Sequence, residues 1–401
     1  MTTAPGTARV HPRIPTTRIA ADTTTVADQL GLLANLPGTW EGAGFNLIAR
    51  PDFHDSANTY LQLNQTRETL TITPIGSPIP NRGFGQDDIE LFGLNYLQRI
   101  EDAATGGALH FEPGLWVTQP PTSYPQETAQ PGEQIIFRLG SIPHGNSLLI
   151  QGVASEFSGP PTVKTAAAQY AFSAFPSFNS TPFAASPAVI NAVGSSEKAT
   201  ATINGVGPGF QEYDLTVASD LANPRTPFDT DPPDPALPAS INGVAMQDAV
   251  NDPASLLQAA VSQQVAQGAT FSGVALNIAT QSQVTFFVKP NSKAGDLTQF
   301  PTTTVTLPDA GGSIGNIPFL DGGTPTGPEG PNAQTALVYA TFWIEKVTPP
   351  KGAPFMQLQY AQFTQLDFPI FAALHPPTGN GAVVNLGWPH VSVATLRKTF
   401  G

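Results

Sequence analysis

The stretch that decides the fold is Asn385-Leu-Gly-Trp-Pro-His-Val-Ser-Val-Ala-Thr-Leu-Arg-Lys398. It predicts a strand, because Pro389 has no N–H to give and suits a strand start, and side chains alternate after it. One face carries an imidazole, two small side chains and a leucine: His390, Ser392, Ala394 and Leu396. If this face points into a barrel, an open volume lies beside a metal-binding nitrogen, as a haem with a proximal histidine needs. A histidine hydrogen-bonded at a barrel mouth explains the same pattern, so both interpretations stay open at this point.

The composition favours short strands joined by many turns. Charged residues make up 12% of the chain, and Gly (37) and Pro (41) are frequent, which suits turns better than a helix bundle. The formal net charge of −13 disfavours nucleic acid and anionic membrane as partners, because both need clustered Lys and Arg. The sequence has no Cys, which excludes disulfides, thiolate-ligated haem and iron–sulfur clusters.

Alternating apolar segments separated by turn signals predict a mainly β fold, an antiparallel lipocalin-like barrel of about ten strands. The predicted strand segments are 36–48, 68–75, 89–100, 109–118, 134–139, 147–152, 271–278, 284–288, 336–347, 355–368 and 385–398. One or two short helices are expected. The first covers residues 26–35, and the second runs from an Asp252 N-cap and Pro253 to a stop at Gly268.

The predicted domain organisation is an arm with a short helix over residues 1–35, followed by a single barrel domain over 36–401. Two segments interrupt the barrel, a Pro/Ala/Ser-rich insertion over 153–240 and a Gly/Pro-rich loop region over 289–333. A long insertion of this kind is often functional, for example as a lid. No apolar run reaches about 18 residues, and the N-terminus lacks the apolar region of a signal peptide. We therefore expect no membrane span and a cytoplasmic protein.

Five short motifs, in this order, resemble the strand motifs of nitrobindins, which are haem-binding β-barrels. They are Leu36-Pro-Gly-Thr-Trp-Glu-Gly-Ala-Gly44, Tyr96-Leu-Gln98, Leu109-His-Phe-Glu-Pro-Gly-Leu-Trp116, the turn Pro143-His-Gly145, and His390-Val-Ser-Val-Ala-Thr-Leu-Arg-Lys398. The resemblance covers residues 36–152 and 336–398, and the middle of the chain has no counterpart in a typical nitrobindin. It implies a b-type haem whose iron is ligated by His390, and it carries over no activity.

Several side chains are candidates to surround such a cofactor. Ser392 and Ala394 would make room for the porphyrin and Leu396 would pack on it. Three tryptophans are candidate porphyrin contacts, with core packing as the alternative: Trp40, Trp343 and Trp388.

Distal candidates come from two other places in the chain. His110 and Glu112 share a face of one predicted strand, which suits either an acid–base pair for peroxide chemistry or a hydrogen-bonded pair at a barrel end. His144 lies in a turn and is expected to face solvent, with a distal role as the alternative.

The sequence therefore predicts a haem b-binding barrel with a His-ligated ferric iron that binds or transforms small ligands such as NO, peroxynitrite or peroxide. A haem-dependent peroxidase or isomerase activity is compatible with this prediction. One alternative is a lipocalin-like carrier of an apolar molecule without iron. Another is a haem enzyme that acts on an organic substrate beneath the insertion. The expected partner is a small molecule, and the oligomeric state stays open.

Overall fold

A computed structural model describes residues 23–52, 57–84, 88–122, 129–163, 224–225, 237–287, 302–307, 309–321, 334–371 and 383–400. Its strands, in chain order, are β1 (Gly38–Asp52), β2 (Ala57–Pro74), β3 (Ile79–Asn81), β4 (Ile89–Asp102), β5 (Ala108–Thr118), β6 (Glu133–Ile142), β7 (Asn146–Ser158), β8 (Pro224–Arg225), β9 (Ser240–Ile241), β10 (Val244–Ala245), β11 (Thr270–Ala279), β12 (Gln283–Phe287), β13 (Thr302–Thr306), β14 (Gly311–Asn316), β15 (Gln334–Thr348), β16 (Phe355–Phe371) and β17 (Val383–Phe400). Its α-helices are α1 (Thr23–Leu30), α2 (Met246–Asn251), α3 (Ser255–Ala266) and α4 (Pro318–Asp321).

Ten of these strands close into one antiparallel barrel, in the order β4-β5-β6-β7-β11-β15-β16-β17-β1-β2, with β2 pairing back to β4. Three further strands attach to its edges: β3 to β4, β8 to β2, and β14 to β7. This confirms the predicted mainly β, ten-stranded antiparallel barrel, and the architecture fits a nitrobindin- or lipocalin-like barrel. The predicted strand at 284–288 corresponds to β12, which pairs only with β13 and contributes nothing to the barrel.

Two predicted boundaries differ from the observed elements. β7 continues to Ser158, so residues 153–158 belong to a barrel strand rather than to the insertion. The Gly/Pro-rich region 289–333 contributes β13 and β14, and β14 pairs with β7. Most of the remaining insertion, residues 164–223 and 226–236, lies outside the described residues.

The interior of the barrel is an apolar cluster closed at one end by the N-terminal helix. Leu30 of α1 and Leu33 of the following 3-10 turn are buried in this cluster beside Trp40 at the start of β1. The indole Nε1 of Trp40 donates a hydrogen bond to the carbonyl of Leu36, at 2.8 Å. The predicted short helix thus acts as a plug at this end of the barrel.

A second apolar layer covers the outside of the barrel. Outward-facing side chains of β17, including Val391 and Val393, pack in one cluster with α2 and α3. From these helices the cluster receives buried residues such as Val250 and Leu257. The last strand is consequently buried on both faces. None of the helices in the described part of the chain has the length and apolar character that a membrane span requires.

Candidate functional site

A cavity of about 270 Å³ lies inside the barrel, at the end away from the α1 plug. Seven barrel strands and the turn between β6 and β7 contribute to its wall: Asn46, Ile48, Gln62, Gln98, Ile100, Ala108, Leu109, His110, His144, Phe342, Tyr360, Gln362, His390 and Ser392. Nine of these fourteen described residues carry hydrogen-bonding side chains. Apolar atoms nevertheless form most of the cavity surface, so the cavity has an apolar wall with several polar groups, built above an apolar barrel core.

His390 reaches this cavity because of the register of β17. It pairs with Ile48 of β1 and Thr364 of β16. Ser392 and Ala394 follow it on the same face of β17, and Ala394 is buried in the barrel interior. The predicted face of the strand therefore points inward. Small residues follow the imidazole along it, so open space remains beside the ring.

The ring nitrogen Nε2 of His390 lies 2.8 Å from Oδ1 of Asn46 and 3.3 Å from Oγ of Ser392. The hydroxyl of Ser392 also donates to Oδ1 of Asn46, at 2.8 Å. Burial, followed by the nearby His110 and His144, lowers the pKa of His390 to about 3. The imidazole is therefore neutral at physiological pH, which is the form that ligates metals.

His110 belongs to a buried ion-pair network. Its Nε2 lies 3.1 Å from Oε2 of Glu112, whose Oε1 accepts from Nη2 of Arg138 at 2.7 Å. The hydroxyl of Tyr96 donates to the same Oε1 and accepts from Nε of Arg138 at 2.9 Å. Burial opposes ionisation of the carboxyl, but Arg138 and His110 outweigh it and lower the pKa of Glu112 to about 2. Glu112 is therefore a fixed anion matched by a guanidinium.

A second buried acid, Glu68, lies behind the cavity wall, and among the described residues it has no cation paired with it. Oε2 of Glu68 accepts from the hydroxyl of Tyr360 at 2.7 Å, and its Oε1 accepts from Oγ1 of Thr66 at 2.9 Å. Burial raises the pKa of Glu68 to about 7, although these hydrogen bonds lower it. Two glutamates inside one barrel thus titrate in different pH ranges, and such separation of pKa values is typical of functional sites.

His144 lies at the mouth of the cavity. It is exposed, as predicted, and it also lines the opening, with its ring centroid 6.0 Å from that of His110. Burial of part of the ring and the neighbouring His110 lower the pKa of His144. The structure therefore brings three imidazoles to one cavity: His110, His144 and His390.

The other predicted cofactor contacts are scattered. Ser392 lines the cavity, whereas Ala394 and Leu396 are buried deeper in the interior cluster. Trp40 lies in that cluster beside the plug, and Trp343 lies in the outer cluster beneath the helices, so neither lines the cavity. The side chain of Trp388 is outside the described residues, as are His11, His54 and His375.

The sequence analysis missed the polar residues of the inner wall. Glu68 and Arg138 stand in the inward register of strands whose neighbouring inward positions, Leu70 and Ile136, are apolar and buried. A charged residue at a core position of an alternating strand is the signal that identifies such groups. Gln98 and Tyr360, which contact them, give no comparable signal, because either residue suits a strand on either face.

The side chains that could ligate a metal at this site can be compared with what a bare metal ion and a haem each require. Within the described ranges, no cluster of three or more His, Asp or Glu side chains is placed to hold a metal ion. A bare divalent cation needs several protein ligands. Haem supplies four ligands to its iron and needs one or two side chains from the protein. A single neutral imidazole in an otherwise uncharged pocket wall therefore fits haem and does not fit a bare metal ion.

No protein-family model matches the sequence, and no curated protein matches it. Among solved structures, the crystal structure of Rv2717c from M. tuberculosis matches over 92% of this chain and 97% of that chain, with 11% sequence identity and a TM-score of 0.29. At this TM-score the likeness adds nothing to the description of the fold or of the site.

Proposed function

We propose that the protein is a haem b-binding β-barrel in which Nε2 of His390 ligates the iron. The observation that supports this most is the state of the three cavity imidazoles. His110 is engaged by the Glu112 anion at 3.1 Å, and His144 is exposed at the mouth. His390 is the neutral imidazole held inside the cavity, with Nε2 bonded only to uncharged groups.

Ligation of a metal requires Nε2 of His390 to leave Asn46 and its hydrogen to move to Nδ1, because Oδ1 of Asn46 can only accept from Nε2–H. The side-chain amide of Asn46 tolerates the loss of the histidine, because its Oδ1 keeps the hydrogen bond from Ser392 at 2.8 Å. No buried acceptor is then left without a partner. Asn46 and Ser392 are therefore positioned to hold the ring in place when the ligand is absent, and to release it when one binds.

The walls of the cavity suit a flat, mostly apolar group with polar edges. Apolar side chains at Ile48, Ile100, Leu109 and Phe342 provide surface for a macrocycle. Haem is larger than the 270 Å³ cavity, so the cavity would have to widen to hold it. When bound, haem would supply a redox-active iron that binds small ligands.

The reaction proposed for this site is the binding or transformation of a small nitrogen–oxygen or peroxide species. Amide and hydroxyl groups of Gln62, Gln98, Tyr360 and Gln362 line the cavity and offer hydrogen bonds to such a ligand. The small volume favours it over an organic substrate beside the haem. The alternative, a carrier of an apolar molecule without iron, would use the apolar part of the wall but would give the neutral imidazole of His390 no role.

The test is a titration of the purified protein with hemin, followed by the Soret absorbance. We expect a band typical of histidine ligation, its loss in His390→Ala, and its recovery in that variant when free imidazole is added. His144→Ala is the matched control, a histidine of the same cavity whose removal should leave the band unchanged. An unchanged band in His390→Ala, with far-UV circular dichroism showing a folded barrel, would remove the assignment.

A further inference from the structure

We propose that Glu68 and Tyr360 form a proton-donating pair at the inner wall of the cavity. Glu68 stores a proton inside the barrel, and Tyr360 passes it to the bound ligand. The proposal of this pair rests on the proposed function, because a ligand must occupy the cavity. It extends that function by naming the class of ligand. The ligand is a small molecule with a basic oxygen or nitrogen atom that takes up one proton when it reacts.

The geometry connects Glu68 to the cavity through one hydroxyl. Glu68 is 3% exposed and does not line the cavity. Tyr360, which does, donates to its Oε2 at 2.7 Å. Nε2 of Gln98, also a lining residue, lies 3.2 Å from the hydroxyl of Tyr360 and 3.5 Å from Oε2 of Glu68. The acid is therefore one hydrogen bond away from the space where a ligand would bind.

The sequence leaves room for the carboxyl at Gly44. A Cβ atom at this position would lie 2.7 Å from Oε1 of Glu68 and 2.7 Å from Oγ1 of Thr66, and it would collide with the carbonyl of Val393. Any larger residue on β1 would push the carboxyl away from Tyr360. Gly44 thus accommodates a buried acid from the neighbouring strand β2.

No cation balances this acid. The nearest guanidinium, that of Arg138, is engaged by Glu112 at 2.7 Å, by Tyr96 at 2.9 Å and by Gln362 at 2.9 Å. Among the described residues, Glu68 has no ion-pair partner.

The groups that face Glu68 from the surrounding strands are few. His110 of β5 acts electrostatically on the titration of Glu68, and it favours the anion. Gly42 and Gly44 of β1 and Gln98 of β4 carry no charge. Burial is the larger effect and raises the pKa of Glu68 to about 7, so a proton is available on it at neutral pH.

Proton transfer begins with reversal of the observed hydrogen bond, so that the protonated Oε2 of Glu68 donates to the oxygen of Tyr360 and the tyrosine O–H turns to the ligand. Two coupled steps follow. The O–H bond of Tyr360 breaks as its proton moves to the basic atom of the ligand, and the O–H bond of Glu68 breaks as its proton moves to the oxygen of Tyr360. The ligand gains one proton, Tyr360 is unchanged, and Glu68 becomes a carboxylate. Thr66 and Gln98 then donate to that carboxylate, which stabilises the charge left behind.

The first experiment needs no haem. Infrared spectra of the ligand-free protein, recorded from pH 5 to pH 9, should show a protonated carboxyl band that disappears near neutral pH. The spectra are taken in a Glu345→Gln background, because Glu345 is a second buried acid with a raised pKa. Glu68→Gln should remove the band, and the exposed Glu41→Gln should retain it. Tyr360→Phe should retain the band and move its loss to higher pH, because the tyrosine hydrogen bond favours the anion.

The second experiment measures transfer to a ligand. The hemin-loaded protein is given hydrogen peroxide together with ferrocyanide as electron donor, because reduction of the peroxide to water then consumes protons. Proton uptake followed with a pH indicator should slow by about 100-fold or more in Tyr360→Phe, as for loss of a general acid. If hemin binds through His390 but no carboxyl band titrates between pH 5 and pH 9, the pair is overturned while the haem proposal stands. If hemin does not bind but the band titrates and responds to Tyr360→Phe, the stored proton is supported and the haem proposal fails.

Discussion

Glu345→Gln should stabilise the protein at neutral pH. Glu345 lies on the outer face of β15 and is fully buried beneath α3. Its Oε2 accepts from Nε2 of Gln357 at 2.6 Å, and its Oε1 has no hydrogen-bond partner. Gln357 in turn bonds Gln264 of α3. The carboxyl is thus sealed between the barrel and the helix, with no cation beside it among the described residues.

The magnitude follows from the pKa of this carboxyl. Burial raises the pKa of Glu345 from its ordinary 4.5 to about 8, against the hydrogen bond from Gln357. The folded state therefore keeps the proton between pH 4.5 and pH 8, where the unfolded state loses it. Stability is fully present below pH 4.5 and falls as the pH rises towards 8. At about 1.36 kcal/mol per pH unit, the loss is about 3 kcal/mol at pH 7 and about 5 kcal/mol at pH 9.

Glutamine has the same shape and no charge to lose, so the variant should not show this fall. Urea unfolding at pH 4.5, 7 and 9 measures the difference in free energy of unfolding between the variant and the parent. We expect a difference near zero at pH 4.5 that grows to about 3 kcal/mol at pH 7 and about 5 kcal/mol at pH 9. The exposed Glu41→Gln is the matched control and should show no such trend. A difference that is the same at all three pH values would refute the explanation.

Three further perturbations test other parts of the structure. Arg138→Met should lower the free energy of unfolding by about 3–5 kcal/mol in urea titrations, because it leaves the Glu112 anion buried without its partner. The double variant Arg138→Met/Glu112→Gln should lose less, and an equal loss in the two variants would contradict this explanation. Leu33→Ala should cost about 2–5 kcal/mol, because Leu33 is 0% exposed in the plug, yet hemin titration of the folded variant should be unchanged at the other end of the barrel. Relative to His390→Gln, the ligand-free parent should lose stability as the pH falls from 6.5 towards 3, because only the unfolded state protonates His390 in this window; a difference in the free energy of unfolding between the two proteins that does not change with pH would contradict this.

The barrel could be predicted from the sequence because its strands alternate with a period of two. The segments at 109–118 and 134–139 fall within β5 and β6, and the helix expected after Asp252 is α3. The segment at 284–288 shows the limit of this signal. Its alternation identifies a strand, but the choice of partner depends on distant residues, and β12 pairs with β13 outside the barrel.

The site was only partly predictable. His390 could be predicted from the sequence because an imidazole followed by small residues on one face of a strand is a local pattern. The cavity also depends on Asn46, Gln98 and Tyr360, which come from three other strands and meet only through the barrel register. Local patterns also failed to distinguish Trp343 from the inward aromatic beside it. Trp343 packs beneath the helices, whereas Phe342 lines the cavity, and only the inward register of β15 separates them.

Stability accounts for one of the two interior glutamates but not for the other. Glu112 is matched by Arg138, and it shares with Tyr96 a network in which each donor has an acceptor. Glu68 has no cation, and keeping it protonated at pH 7 costs about 3 kcal/mol relative to an unfolded chain with an ordinary pKa of 4.5. A glutamine there would keep an acceptor for Tyr360 and avoid this cost. Since folding alone favours the replacement, the acid at this position is better explained by the chemistry of the cavity, where a neutral acid beside a tyrosine hydroxyl can release a proton.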